Sequence, residues 1–395
     1  MMGFNHQIIF LLVQVFFVGL TLGMTRTVLP IIVETDFSIS QNSFLLINAL
    51  IIAFGLIKAM INLKAGQWSE SLGRKKILIF GWLIALPIPL IIYWAKSWYY
   101  LIFAMGLLGA NQGMTWSMTQ TAKLDQIKAD QKGLVMGFNE FAGYIGMAVA
   151  GIWTADLSQK YGHRQALLYF GLIVIALGLW MSIVMIKESK ASNLNSSSHG
   201  LKIIVQKIIQ NPSLLSIIQA GLAEKFVDAL IWMILPTYLL NQGLEISSMS
   251  RIVGLYGMSW GIIQLGTGYL SDLIGRKWPI IIGMLMCTIG VGMILLFHGE
   301  SWWLFCAFLI GFGMALLYPT LSASVSDMTM IQDRGAMIGA YRFFRDLGLA
   351  IAGIIFAIFM HTTQELEIAF WATIFVMIIS TLHLCFYYKD VTRQG

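Results

Sequence analysis

Charge is scarce in this sequence. Only 11% of its 395 residues are Asp, Glu, Lys or Arg, against 58% hydrophobic residues and a mean hydropathy of +0.77. Soluble domains run nearer a quarter charged. The shortage excludes an ordinary soluble enzyme, a disordered chain and a nucleic-acid-binding domain. Cysteine is scarce too. Cys287, Cys306 and Cys385 each fall inside an apolar run, with no C-x-x-C. A disulfide framework is excluded, and the thiols read as inert packing residues. The six histidines form no H-x-x-x-H pair, so no metal site is expected. The chain has no G-x-x-x-x-G-K-[ST] to cradle a nucleotide phosphate, and no cofactor is implied.

Apolar runs are what the sequence has instead. They fall at about 8–33, 44–63, 77–95, 99–121, 133–155, 165–186, 213–240, 251–270, 278–298, 302–325, 335–359 and 368–388. A helical span needs about 20 such residues, so twelve spans consume roughly 240. What remains makes two short tails and short loops, leaving no room for a separate soluble domain. The run from Ile8 has no small-residue cleavage site and reads as a retained first helix, not a signal peptide. Ser97-Trp98-Tyr99-Tyr100 and Ser301-Trp302-Trp303 look like interfacial aromatic belts. The longest polar stretch, 187–212, is Ser/Asn-rich and then amphipathic and basic. It divides the chain into 1–186, a cytoplasmic linker and 213–395. Its basic half suits the inner membrane surface.

Basic residues set the orientation. With both termini inside, sixteen of the 25 Lys and Arg fall in cytoplasmic segments, Lys123, Lys190 and Arg393 among them. Four fall outside, at Lys96, Lys160, Arg164 and Arg251, and five lie within spans. The pI of about 9.1 and net charge of +6 are thereby explained without nucleic acid.

An offset of 202 residues then relates the two halves. It superposes Gly66-x-x-Ser69-Glu70-x-x-Gly73-Arg74-Lys75 on Gly268-x-x-Ser271-Asp272-x-x-Gly275-Arg276-Lys277. The same offset pairs Asp125 with Asp327, Lys132-Gly133 with Arg334-Gly335, Gly137 with Gly339 and Gly146 with Gly348. The expected fold is all-α: 12 transmembrane helices in two six-helix bundles related by a pseudo-two-fold axis along the membrane normal. Parallel repeats of this kind place a substrate site near the bilayer midplane.

The segments GQWSESLGRKK (66–76) and GYLSDLIGRKW (268–278) resemble the loop signature G-x-x-x-[DE]-x-x-G-[RK]-x-[RK] of the major facilitator superfamily. The resemblance covers the whole chain. It implies that Glu70 faces the start of the eleventh span and Asp272 the start of the fifth. It implies that Arg74 and Arg276 pair with Asp125 and Asp327, and that these contacts hold the inner side shut. The plainer alternative is a basic turn that only fixes topology. Two departures point away from a typical multidrug antiporter. Gly109 stands where the family's fourth helix usually carries Arg, and the glycine series 137–146 has no proline.

Nine ionisable residues lie within expected spans, where they are costly and default to function. They are Arg26, Lys58, Lys225, Arg342, Arg345, Glu140, Glu224, Asp228 and Asp346. Asn139 and Tyr144 are polar neighbours of Glu140. For Arg26 and Lys58, snorkelling to the interface is the alternative. Glu140 aligns with Arg342 at the repeat offset, so the two are expected to meet in one state or to form static salt bridges. Arg342, Arg345 and Asp346 share a helix face. Asp346 is expected to pair with Arg342, leaving Arg345 for substrate. Glu224 and Asp228 are four apart, and two adjacent carboxylates suit proton coupling. The alternative is an acidic lining with no titration role. Lys225 points elsewhere. Trp116 and Tyr318, also aligned, are candidates for stacking on substrate or are simply core. Tyr318-Pro319 is expected to kink or break its helix.

The reading is a secondary transporter of a small organic solute, working by alternating access with protons as coupling ion. It is expected as a monomer in a prokaryotic inner membrane. Five intramembrane cations against four acids tilt the solute toward an anion or zwitterion. Export of an amphipathic or cationic compound is the alternative. A membrane enzyme, a channel or a transporter-like sensor is the remote one.

Overall fold

A computed structural model of the chain describes residues 5–37, 44–128, 131–188, 201–363 and 365–390. Residues 189–200 of the expected linker lie outside the described residues, as do Lys190 and Arg393 of the basic set. Among the described residues there is no strand. Among the described residues, fourteen of the fifteen α-helices account for the twelve expected spans, and the remaining one, Leu201–Gln210, lies in the expected linker.

The chain forms two compact units: Met1–Ile127 with Asn139–Gly200 and Met330–Phe343, and Lys128–Phe138 with Leu201–Thr329 and Phe344–Gly395. These follow the expected halves except that the start of the fifth span and the start of the eleventh change places. Backbone contacts account for both. A Cβ on Gly66 would collide with the Gly335 carbonyl, and one on Gly133 with the Gly268 carbonyl. Only glycine permits so close an approach.

The first unit contains α1 (His6–Phe37), α2 (Phe44–Leu72), α3 (Arg74–Ala85), α4 (Pro87–Tyr93), α5 (Trp98–Leu124), α7 (His163–Val184) and most of α6 (Lys132–Tyr161). The third span is split into α3 and α4 at Pro87, whose missing N–H ends one ladder and whose fixed φ starts the next. Helix α5 is the axis of the unit and packs on α1, α2 and α3. Its polar side chains donate to backbone carbonyls of its neighbours. Asn111 Nδ2 reaches Gly81 O at 2.9 Å, and Gln112 Nε2 reaches Val18 O at 3.0 Å. Such bonds hold helices together where apolar burial cannot distinguish protein from lipid.

The second unit contains α8 (Leu201–Gln210), α9 (Pro212–Ala229), α10 (Leu235–Asn241), α11 (Ile246–Ile274), α12 (Lys277–Leu296), α13 (Glu300–Asp327), most of α14 (Arg334–Thr363) and α15 (Glu367–Tyr387). Helix α8 is the amphipathic end of the linker; Ile204 and Ile208 are buried, while Lys202 and Ile209 are exposed. Pro212 opens α9 behind Asn211, whose side chain accepts from Leu214 N at 3.1 Å. A π turn, Leu230–Ile234, joins α9 to α10. Pro236 has no N–H for the carbonyl one turn back, so the ladder widens just before it.

Of the kink or break expected at Tyr318-Pro319, the break is absent: α13 is assigned as one helix through Pro319. Proline-linked interruptions fall instead at Pro87 and before Pro236. Cys287 and Cys306 are buried as expected, but Cys385 is exposed. Nine helices among the described residues are long and apolar enough to cross a membrane by length and composition. Three expected spans fall short of that measure: α5, α11 and the α9–α10 pair. Helices α5 and α9 carry buried polar and charged side chains.

Candidate substrate site and gating clusters

Helix α2 ends at Leu72, and Gly73 turns the chain with φ of 91° before α3 begins. That left-handed backbone favours glycine. Glu70, one turn from the helix end, points its carboxylate at the start of α14, where Ala336 N donates to Oε1 at 2.8 Å. A carboxylate there meets unsatisfied N–H groups and the positive end of the dipole. Arg74 is buried. Its Nε meets Asp125 Oδ2 at 3.2 Å, and its Nη1 donates to Ser69 O at 2.6 Å. Asp125 also receives Arg334 Nη1 at 3.2 Å.

The second copy repeats this arrangement. Gly275 has φ of 90°. Asp272 accepts from Gly133 N at 2.9 Å and Leu134 N at 2.8 Å, at the start of α6. Arg276 meets Asp327 at 2.9 Å and Asp272 at 2.6 Å. Burial works against its charge, but Asp327 and Asp272 outweigh it and hold the guanidinium pKa above its ordinary value. Lys132 Nζ meets Asp327 at 3.0 Å and Ser326 O at 3.1 Å. Arg334 makes the corresponding bond to Leu124 O at 2.9 Å.

Sequence reasoning missed two members of each cluster. Lys132 and Arg334 complete the aspartate sites. Glu188 and Asp390 close the back of the turns: Glu188 accepts from Arg74 N at 2.8 Å, and Asp390 from Arg276 N at 2.6 Å. Beside them Lys75 Nζ donates to Ile183 O at 2.8 Å and Lys277 Nζ to Cys385 O at 3.2 Å. Every one of these pairs obeys the 202-residue offset, which would have found them.

The intramembrane charges are placed less symmetrically. In the first unit, Glu140 is fully buried and accepts from Trp116 Nε1 at 3.1 Å and Asn139 Nδ2 at 2.7 Å. Its Oε2 has no hydrogen-bond partner among the described residues. Arg342 is 1% exposed and donates from Nη1 to Gln120 Oε1 at 2.6 Å. Its Nε and Nη2 have no hydrogen-bond partner among the described residues. Asp346 is buried one turn farther along α14. Lys123, expected in a cytoplasmic segment, is buried in the last turn of α5 and donates to Leu11 O at 3.2 Å.

In the second unit, Arg345 is ion-paired to Glu224 and lies 3.2 Å from the Tyr318 ring centroid. It is therefore not left open for substrate, contrary to expectation. Lys225, expected to pair elsewhere, meets Asp228 Oδ2 at 2.7 Å. Asp228 Oδ1 also accepts from Trp232 Nε1 at 2.8 Å and Tyr256 OH at 3.2 Å. Glu224 and Asp228 act on one another as expected, but each is also bonded to a cation, Arg345 and Lys225. Each has its own cation, because the face of α9 that carries them also carries Lys225 and meets Arg345.

Trp116 and Tyr318 are each 4% exposed. The Trp116 ring packs against Gly143 and the Tyr318 ring lies under Arg345, so neither face is open for stacking in this conformation. Arg26 is exposed, with Nη1 3.6 Å from Met147 Sδ. Lys58 is half-buried with Nζ 5.6 Å from the Phe54 ring centroid. Tyr144 is half-buried. Gly109, in place of the family's arginine, lets α5 approach the Phe54 carbonyl of α2.

Comparison with known proteins gives one consistent result. The family model described as Major Facilitator Superfamily matches residues 11–266 and 214–395. A probable 4-methylmuconolactone transporter of Cupriavidus pinatubonensis is 25% identical over 344 residues, covering 79% of this chain and 78% of that protein. The class E tetracycline resistance protein of Escherichia coli is 20% identical over 370 residues, covering 91% and 89%. Among solved structures, the human organic anion transporter MFSD10 superposes with a TM-score of 0.79 at 14% identity, covering 96% of this chain and 99% of that one.

Proposed function

The chain belongs to the Major Facilitator Superfamily and is a multi-pass membrane transporter, and from that premise we propose that it moves a small organic anion or zwitterion in a proton-coupled cycle. The observation that carries the substrate class is Arg342. A guanidinium offers five N–H donors in a fixed fork that matches a carboxylate. Here it is buried, spends one nitrogen on a neutral amide, and keeps Nε and Nη2 without protein partners among the described residues. A carboxylate is the group that answers those donors. The Cupriavidus relative and the structural neighbour, named for a lactone and for organic anions, agree with this reading.

The alternating-access cycle uses the two clusters around Glu70 and Asp272 as the inner gate. Each holds a helix N-terminus by a carboxylate that must let go when the inner side opens. Both termini are cytoplasmic in this reading, the membrane is a prokaryotic inner membrane, and the working form is a monomer. The two six-helix bundles, 1–186 and 213–395, move about the linker 187–212.

Export of a cationic compound, suggested by the tetracycline resistance relative, is the competing reading. The aromatic cluster that would suit a cation already holds the protein's own. Lys225 Nζ lies 5.6 Å from the Trp260 ring centroid and 5.2 Å from that of Tyr318.

The test is thermal stabilisation of the detergent-purified protein by benzoate, cis,cis-muconate, betaine and tetraphenylphosphonium, at about pH 6 and about pH 8. Stabilisation by the carboxylates, lost in Arg342→Gln, is expected. Stabilisation by tetraphenylphosphonium alone, lost in Glu140→Gln or Asp228→Asn, would replace the anion reading with export.

A further inference from the structure

Among the described residues, four carboxylates are buried within the spans: Glu140, Glu224, Asp228 and Asp346. Glu224 and Asp228 are each bonded to a cation, Arg345 and Lys225. Breaking such a pair in a dry interior leaves a bare charge, which makes paired carboxylates poor proton carriers unless the partner moves as well. Glu140 differs. Both its bonds come from the neutral donors Trp116 and Asn139, and, as in Glu224, its second oxygen has no hydrogen-bond partner among the described residues.

The repeat-related residue is Arg342, and both are anchored on one helix. Trp116, which holds Glu140, and Gln120, which holds Arg342, are four residues apart on α5. They lie on one face with a rise of about 6 Å between them. A carboxylate with an open acceptor and a guanidinium with open donors therefore sit one helical turn apart, each tethered to its own neutral partner. The two form no ion pair with each other in this conformation.

We propose that Glu140 is the proton-coupling carboxylate and Arg342 the anion anchor, and that the two act as one switch because Arg342 serves either the ionised Glu140 or the carboxylate of the transported solute. The proposal rests on the anion reading above and assigns its coupling residues. A proton on Glu140 Oε2 removes the charge that competes for Arg342, which raises affinity for a solute carboxylate. Conversely, a bound carboxylate cancels the Arg342 field and favours protonation of Glu140. The two effects are one linkage and must be equal. Proton and anion then bind together and leave together, which is symport.

The other charges that bear on the switch are few. Lys123, seven residues beyond Trp116 on α5, interacts electrostatically with Glu140 and is fixed by its bond to the Leu11 carbonyl. Asp346 lies one turn from Arg342 on α14, and Tyr144 one turn from Glu140 on α6. The diagnostic quantity is therefore the difference between removing the Arg342 charge and keeping it with a different shape.

The experiment needs no ligand, so its failure is separable from failure of the anion reading, which the stabilisation panel tests. Purified full-length protein in lipid is titrated on an infrared cell, following the carboxylic-acid C=O band. Part of that band should vanish in Glu140→Gln. In Arg342→Gln the midpoint of that component should rise by roughly one pH unit, the effect of losing a cation beside a carboxylate. In Arg342→Lys, which keeps the charge and is the milder change, the midpoint should stay near the wild-type value. A Glu140-dependent component whose midpoint is unmoved by Arg342→Gln would overturn the switch. So would a band that Glu140→Gln leaves intact, or one that disappears in Asp228→Asn instead.

Discussion

The two copies of the gating cluster match residue for residue, whereas the two central clusters do not. At the gate, Glu70, Arg74, Asp125, Glu188 and Arg334 have counterparts in Asp272, Arg276, Asp327, Asp390 and Lys132, all at one offset and with like charge. In the centre, Glu140 stands opposite Arg342, Arg26 opposite Asp228, and Gly143 opposite Arg345. An aromatic ring occupies the same place in each half, but Trp116 packs on a glycine and Tyr318 lies under a guanidinium. The difference separates two tasks. A gate must close the same way in both halves, and symmetry serves it. A site that recognises an asymmetric solute must break the symmetry, and opposite charges at equivalent positions do so.

The central asymmetry is also where substitution should cost most. Arg345→Ala should leave Glu224 uncompensated and destabilise the protein by about 3–5 kcal/mol. The double change Arg345→Met with Glu224→Met should recover most of it, as read by denaturation in detergent. If the double variant is as unstable as the single one, the pair is not an isolated unit. Next comes the close backbone approach at the gate. Gly66→Ala and Gly133→Ala should each cost about 1–3 kcal/mol by overpacking, and by similar amounts. Melting temperatures would show whether the two halves pay alike.

A comparable effect is expected at the aspartates. Asp125→Asn and Asp327→Asn should each lose charge-assisted hydrogen bonds worth about 1.5–3 kcal/mol at most. A cost confined to one copy would break the equivalence of the gates. The smallest effect should follow the exchange Lys132→Arg with Arg334→Lys. Both residues make the same two contacts, so the swap should stay within about 0.5 kcal/mol. A larger loss would show that bidentate geometry matters at one copy only.

Most of this architecture was legible from residues. Twelve apolar runs, a 202-residue repeat and two loop motifs carry the fold, because lipid forces a helical solution and gene-level repetition leaves a readable offset. The partners of the loop motifs were legible by the same offset, which pairs Lys132 with Arg334, although their bonds to the aspartates and the pair Glu188 and Asp390 were not drawn from it. The central site was less legible. Glu224 and Asp228 look like an acid pair when only their spacing is read, since Arg345 arrives from another helix. The same holds for Arg342, whose partner Gln120 is an uncharged residue that no charge census would flag. Pro319 does not break α13, because proline inside a spanning helix is tolerated when neighbours satisfy the freed carbonyl.

The back of each gate turn has a consequence for biogenesis. Glu188 follows the sixth span and reaches back to the N-terminus of α3; Asp390 follows the twelfth and reaches back to that of α12. Each carboxylate works as a buckle that ties the last span of a half to its third. The first buckle has all its parts once six spans have left the ribosome. The second cannot fasten until the twelfth span is in the bilayer. A nascent chain is thus able to seal its first half before its second half exists, and carries an unfastened second half for the remainder of synthesis.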